Sequence, residues 1–148
     1  MTDKQVPFIF QKNITRKTDS EILADKAAQV LADLTDDYLV QVRKDIQIMY
    51  TALDKAEMGD PQKRGELLMD AFFVKMHDLK GQGATFGYPL LTDIGTFVCN
   101  YLRNRKGISL LDLTFLKQCV TDADTIVQKN LTGDGGSIGE EIRKRLTE

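Results

Sequence analysis

The sequence predicts an all-α protein: an up-down four-helix bundle with an extra N-terminal helix and a short C-terminal helix. Apolar residues recur in steps of three and four along most of the 148-residue chain, which is the spacing of one helix face. No alternating apolar and polar stretch of the kind typical of strands stands out. Only three prolines occur, and two of them, Pro61 and Pro89, precede apolar stripes. Long helices joined by short turns are therefore expected.

The chain is expected to form one domain, residues 18–131. An irregular segment, residues 1–17, precedes it and contains a short apolar cluster at Val6 and residues 8–10. A flexible linker and a short helix, residues 132–148, follow it. In the linker, residues 133–136 read Gly-Asp-Gly-Gly, a composition that favours a turn.

The first two helices follow from capping residues and apolar stripes. Thr18 and Glu21 fit a capping box, in which each side chain satisfies a backbone N–H at the helix start. An apolar stripe follows at helical spacing: Leu23, Ala27, Val30 and Leu34. Thr35 either caps a second helix or marks a bend in the first. The stripe of the second helix consists of Leu39, Val42, Ile46, Met49, Leu53 and Ala56.

The third and fourth helices are predicted near residues 61–85 and 89–105. Gly59, Asp60 and Pro61 suit the end of one helix and the start of the next. The inward stripe of the third helix consists of Leu68, Phe72, Met76 and Leu79. The fourth has a broad apolar face made of Leu90, Leu91, Ile94, Phe97, Val98, Tyr101 and Leu102.

The fifth helix is predicted near residues 110–131, with a capping box from Ser109 to Asp112. Its stripe consists of Leu113, Leu116, Val120, Ala123 and Val127. A second capping box from Ser137 to Glu140 starts the C-terminal helix, which is short and needs docking to be stable.

Composition excludes several classes of function. A net charge of −2 gives no reason to expect a nucleic-acid partner, and no apolar run is long enough to span a membrane. The N-terminus lacks the layout of a signal peptide, so the cytoplasm is the expected location. Cys99 and Cys119 both lie in apolar helical patterns and are expected to be buried free thiols. Neither a metal nor another cofactor is expected.

His77 is the only histidine, and it lies one residue off the apolar stripe of the third helix. It is therefore expected at the boundary or in solvent. A lysine follows three residues later, Lys80, and a glycine four residues later, Gly81, so both share its helix face. Lys80 would place an ammonium group near a phosphoryl group on His77. Gly81 would clear space for another protein to approach the imidazole.

Simpler interpretations of these residues stay open. A lone histidine at the edge of a helix stripe is often an ordinary surface residue. Gly81 and Gly83, each unfavourable in a helix, are also explained by close helix packing or a frayed helix end. A zinc site needs more ligands than one histidine and two cysteines in separate patterns. No nucleophile-elbow sequence supports a catalytic triad.

His77-Asp78-Leu79-Lys80-Gly81, followed by Phe86-Gly87, resembles the signature of the histidine-containing phosphotransfer (HPt) domain family. The resemblance covers about residues 35–131. It implies a four-helix bundle whose exposed histidine relays phosphate between aspartates of response-regulator receiver domains in a multistep phosphorelay. The expected partners are such receiver domains and a sensor or hybrid histidine kinase. The protein would be a monomeric phosphocarrier with no ATP-binding domain, rather than an enzyme with turnover.

Carried over by residue, the resemblance makes His77 the phospho-acceptor, through Nε2. Lys80 steadies the phosphate, and Gly81 gives access. In many members a glutamine on the next helix orients the imidazole, but the matching region here is Cys99-Asn100. Asn100 or Gln82 would have to replace it.

Other positions bear on the resemblance as well. Arg103, a turn beyond Asn100, either faces the site or is a solvated cation in the last turn of its helix. The chain has Gly83 where serine or alanine is usual, Met76 where alanine is frequent, and the acidic Asp78 where a small or neutral residue is common.

Two other functions fit the same residues. His77-Asp78 also resembles the phospho-acceptor pair of histidine kinases, in which the acidic residue acts as a base. The chain would then be a dimeric, kinase-like phosphotransferase module. Alternatively, the chain is a helical adaptor that binds or inhibits a signalling protein without phosphate chemistry.

Overall fold

The computed structural model describes residues 16–147 and is helical throughout most of that range, with no strand in it. Its α-helices are α1 (Asp19–Met58), α2 (Arg64–Leu67), α3 (Phe73–Gln82), α4 (Pro89–Arg103), α5 (Leu110–Gln128) and α6 (Gly136–Thr147). The predicted all-α bundle is confirmed. The apolar cluster predicted at Val6 and residues 8–10 lies outside the described residues.

The chain divides into two compact units, residues 1–36 and 37–148, and the boundary falls within α1. In the first unit, Thr18 Oγ1 accepts a hydrogen bond from the backbone N–H of Glu21, which is one half of the predicted capping box. Thr35 does not begin a second helix. Its hydroxyl donates to the carbonyl oxygen of Leu31 inside α1, so the predicted N-terminal helix is the first part of this longer helix.

The second unit has one hydrophobic core, to which α1 and α3 to α6 all contribute. Its fully buried large side chains are Ile46, Met49, Leu68, Phe72, Met76, Leu79, Leu90, Leu91, Ile94, Leu116, Ile126 and Ile142. Most of them belong to the apolar stripes predicted from the sequence. Helix α6 contributes Ile142 and Leu146 to this core, so the C-terminal helix is docked.

The predicted third helix is interrupted. A 3₁₀ turn (Pro61–Lys63) leads into α2, and a wider π-helical turn (Leu68–Phe72) separates α2 from α3. Asp70 departs from helical geometry there, with φ −80° and ψ −112°. A π turn inserts an extra residue into the helix, and the buried residues Leu68, Phe72 and Met76 continue the core stripe through it.

Local capping explains the other helix ends. Ser109 and Asp112 form both hydrogen bonds of the predicted capping box at the start of α5. Helix α6 begins at Gly136, one residue before the predicted cap Ser137, because the Asp134 carboxylate accepts from the N–H of Gly136. Gly87 ends the turn after α3 with φ +92°, a left-handed conformation that favours glycine.

Cys99 and Cys119 are buried free thiols, as expected. Among the helices described by the structure, none combines the length and apolar character needed to cross a lipid bilayer.

Candidate functional site

His77 occupies the fifth position of the ten-residue helix α3, and its side chain is exposed. The neighbouring core positions Met76 and Leu79 are buried, which fixes the rotation of α3 about its axis. The wide turn and the core stripe therefore direct the imidazole away from the core. The predicted exposure of His77 is confirmed.

Phe73, His77 and Gly81 are four residues apart and follow each other along one face of α3. The rings of Phe73 and His77 lie with centroids 6.2 Å apart and planes tilted by 32°. No atom lies within 4 Å of the position that a Cβ of Gly81 would occupy. The face of α3 that carries His77 thus has an aromatic ring one turn before the imidazole and open space at Gly81 one turn after it.

Arg103, the last residue of α4, reaches this face. Its guanidinium carbon lies 5.1 Å from the centroid of the Phe73 ring, a cation–π arrangement. Phe73 is thus in contact with both the guanidinium group of Arg103 and the imidazole of His77. Arg103 is also exposed in the last turn of α4, so both predictions for it stay open.

Lys80 follows His77 by three residues and therefore lies on the same face of α3. Burial raises the pKa of Cys99, and the charges of Arg103 and Lys80 oppose that rise. Within residues 16–147, neither Lys80 nor Arg103 forms an ion pair with a carboxylate.

Asp78 is half-buried and acts on a different part of the molecule. Burial and the charges of Asp45, Tyr88 and Asp78 together raise the pKa of Tyr38 to about 12. Tyr38 stacks on Phe86 with ring centroids 4.4 Å apart.

Two glycines bring α4 against α3 behind the site. A Cβ on Gly83 would lie 2.8 Å from the backbone nitrogen of Thr92 and 2.9 Å from Cβ of Leu91. A Cβ on Gly95 would lie 2.5 Å from the backbone nitrogen of Lys80 and 2.6 Å from the carbonyl oxygen of Met76. Both glycines are buried, so Gly83 has a packing role and does not belong to the exposed docking face.

The two amides expected to orient the imidazole do not do so. Asn100 and Gln82 are both exposed, and neither forms a hydrogen bond with His77 in the described part of the chain. Asn100 instead lines a shallow cavity of about 460 Å³ with Phe97, Tyr101 and Arg105.

Sequence reasoning missed two residues of this site, Phe73 and Gly95. Phe73 lies four residues before His77, and this spacing alone places the two rings on one helix face. Phe73 lies outside the predicted apolar stripe, next to the core residue Phe72. Gly95 lies inside a strongly apolar helix, where a glycine indicates close approach of another backbone.

The residues described by the structure include no group of three or more His, Cys, Asp or Glu side chains placed to hold a metal ion. Comparison of the chain with protein-family models, curated proteins and solved structures finds no match.

Proposed function

We propose that this protein carries a phosphoryl group on His77 and relays it between the aspartates of receiver domains in a multistep phosphorelay. One observation carries the proposal: the only histidine is exposed on a helix face that has open space at Gly81 and two cations, Lys80 and Arg103, without a carboxylate partner among the described residues. The HPt-like sequence from His77 to Gly81 supports the same function.

The transfer step needs only the imidazole and the incoming acyl phosphate. The neutral ring attacks phosphorus through Nε2, so that a P–N bond forms. The P–O bond to the receiver aspartate breaks, and its electron pair stays on the released carboxylate. Nδ1 keeps its proton, so the phosphorylated ring carries a positive charge next to the phosphoryl oxygens. Transfer onward to a second receiver reverses these bond changes.

The surroundings of His77 suit this step. Transfer of a phosphoryl group requires the attacking and leaving atoms to lie in line, so a receiver has to approach the imidazole closely. The missing side chain at Gly81 leaves room for that approach. Lys80 and Arg103 supply positive charge to the phosphoryl oxygens, and hydrogen bonds between charged partners are the stronger ones.

The proposed partners are receiver domains and a sensor or hybrid histidine kinase, and the proposed location is the cytoplasm. The protein would be an intermediate carrier rather than an enzyme with turnover, and it would contribute no ATP-binding site. Any Mg²⁺ needed for the transfer would belong to the receiver domain.

The test is transfer of label from a radiolabelled phospho-receiver to the intact protein and to His77→Gln. We expect label on the intact protein that is labile to acid and stable to base, as a phosphoramidate bond requires. His77→Gln, shown to be folded by circular dichroism, should acquire none. Label on the variant would overturn the assignment of His77.

The same experiment separates the two other functions. An adaptor would bind the receiver equally well with His77→Gln and would take up no label in either form. A kinase-like module would depend on Asp78 as a base, so Asp78→Asn would abolish transfer. We expect Asp78→Asn to retain most of the transfer rate, because Asp78 is half-buried whereas His77 is exposed, and consecutive residues of a helix point about 100° apart.

A further inference from the structure

The first part of α1 carries an apolar face that the described residues leave open to solvent. Leu23 is 68% exposed, Val30 57% and Leu34 51%, and Ala27 is exposed as well. These four residues occupy one narrow strip of the helix, because their spacing of four, three and four keeps them within about 60° at 100° per residue. We call them the α1 strip. A helix stretch of this length is marginally stable unless its apolar face is covered.

We propose that a second copy of this chain covers the α1 strip, so that the protein is a dimer joined by two antiparallel α1 segments and not the monomer that the HPt resemblance implies. The strip is self-complementary in that orientation. When the two helices run in opposite directions about a two-fold axis between residues 28 and 29, Leu23 faces Leu34 of the second copy, and Ala27 faces Val30 of the second copy. The same patch then serves both partners, as a two-fold interface requires.

Charges beside the strip favour the antiparallel orientation. Lys26 and Asp33 are exposed and flank the strip on the same side, seven residues apart. In an antiparallel pair, Lys26 faces Asp33 of the second copy, and the symmetry repeats this ion pair. A parallel pair would instead bring Asp36 and Asp37 of both copies together at one end, which is unfavourable.

The other flank of the strip also pairs in this orientation. Ala24 and Leu31 lie on it, and Leu31 is 57% exposed. In the antiparallel arrangement Leu31 covers Ala24 of the second copy, so a large side chain lies against a small one. No charged residue that flanks the strip would face a charge of the same sign in the second copy.

The size of the contact predicts a reversible dimer. The segment from residue 19 to residue 36 is about 27 Å long. A contact over half the circumference of a helix about 10–12 Å in diameter spans roughly 20 Å of accessible surface, which gives on the order of 500 Å² per copy. A total of about 1,000 Å² lies at the low end of specific interfaces. We therefore expect dissociation in the micromolar range.

Sedimentation equilibrium of the full chain, from about 1 to 100 μM, tests this proposal. The mass should rise with concentration from 16.7 kDa towards twice that value. Leu34→Glu should raise the dissociation constant by about 100-fold or more, because it places a charge against the apolar Leu23 of the second copy at both ends of the contact. Ile22→Glu is the matched control, since Ile22 is 41% exposed on the same helix but off the strip, and it should leave the dimer intact.

Exchanging the charges of Lys26 and Asp33 tests whether a second copy of this chain covers the α1 strip and whether it does so in the antiparallel orientation. Lys26→Asp and Asp33→Lys should each weaken the dimer by about threefold to tenfold, and the double variant should restore it, because the exchanged charges again face each other. A protein that stays at 16.7 kDa at all concentrations would overturn the proposal, including the case in which residues 1–15 cover the strip. A dimer that survives Leu34→Glu would also overturn it and would point to association through another surface.

Discussion

Gly81 and Gly83 lie two residues apart and look alike in the sequence, yet their surroundings differ. A side chain at Gly81 would meet open space, whereas a methyl group at Gly83 would meet the backbone and side chain of Thr92 at 2.8–2.9 Å. Backbone atoms cannot give way as the end of a flexible side chain can. The first glycine is therefore suited to access, and the second to packing.

Alanine substitution at each of these two glycines tests this difference in surroundings. Gly81→Ala should keep the free energy of unfolding or raise it by up to about 1 kcal/mol, because alanine favours a helix. Gly83→Ala should lower it by about 1–3 kcal/mol through overpacking. Urea unfolding of the two variants measures the difference. A Gly83→Ala variant as stable as the unmodified protein would show that the contact with Thr92 does not limit packing.

A larger side chain at position 81 tests whether Gly81 gives a receiver domain access to His77. Gly81→Leu should remain folded but bind a receiver domain at least about tenfold more weakly, since a bulky side chain would fill the space beside His77. Titration calorimetry with one receiver domain measures this affinity. Unchanged affinity would remove Gly81 from the docking face.

These residues differ in how much of their structural role can be predicted from the sequence. Exposure of His77 followed from its position off the apolar stripe, which is a local pattern. The difference between Gly81 and Gly83 could not be predicted from a local pattern, because it depends on where α4 lies. Cation–π contact between Arg103 and Phe73 joins two helices and has no local signature.

The two cations beside His77 should act on phosphoryl transfer and leave stability unchanged. Lys80→Ala and Arg103→Ala should each slow transfer by about tenfold, the effect of losing roughly 1.4 kcal/mol of interaction with the phosphoryl oxygens. Rapid-quench transfer kinetics and thermal unfolding measure the two quantities. Lys129→Ala, an exposed lysine after α5, serves as the control. Equal rates for Lys80→Ala and the control would exclude Lys80 from the mechanism.

Tyr38 has a buried hydroxyl group without a hydrogen-bond partner among the described residues. Because an unsatisfied buried donor is unfavourable, Tyr38→Phe should raise the free energy of unfolding by about 1 kcal/mol. The raised pKa of Tyr38, about 12, adds a pH dependence. Above pH 10 the unfolded tyrosine ionises while the folded one stays neutral, so stability falls as pH rises towards 12.

Tyr38→Phe should lack this alkaline loss of stability, so its advantage should grow between pH 10 and 12. Tyr101→Phe is the comparison, because the Tyr101 hydroxyl donates to Asp112 and accepts from Arg105 at 2.7 Å. That variant should lose stability. A destabilised Tyr38→Phe would indicate that the hydroxyl has a partner.

At the scale of helices, capping motifs and apolar stripes were predictable, and interruptions were not. The capping box at Ser109 and Asp112 is entirely local, and both of its hydrogen bonds form. Thr35 fits a cap by type but lies inside α1, where its hydroxyl bonds to Leu31. The π turn before α3 leaves no mark in the sequence, because Leu68–Phe72 has ordinary helix-forming residues apart from Asp70.

Helix α6 is held to α5 by one strong ion pair. Arg145 donates to both carboxylate oxygens of Asp122, from Nε at 3.1 Å and from Nη2 at 2.6 Å. Asp122 is only 4% exposed, so loss of the guanidinium group would leave a buried carboxylate short of a partner.

Arg145→Ala should therefore lower the free energy of unfolding by about 1–2 kcal/mol and speed hydrogen exchange in α6. Lys144→Ala is the matched control, because Lys144 forms only an exposed ion pair with Glu140 at 3.7 Å. It should change stability by less than about 0.5 kcal/mol. If the two variants had equal effects, docking of α6 would depend on Ile142 and Leu146 alone.

For the whole molecule, the second unit provides a rigid support for one exposed imidazole. The core stripe of α3 fixes the rotation of the helix, and Gly83 and Gly95 let α4 approach its backbone. Arg103, at the end of α4, is thereby brought onto the Phe73 ring. The proposed phosphocarrier would use this arrangement to hold an accessible imidazole close to positive charge.

The relay itself is tested most directly with two receiver domains. One is phosphorylated with labelled phosphate, the second is unlabelled, and appearance of label on the second is followed with no addition, with this protein, or with His77→Gln. The account predicts label on the second receiver only when the unmodified protein is present. Equal transfer in the presence of His77→Gln, or no transfer with the unmodified protein, would contradict it.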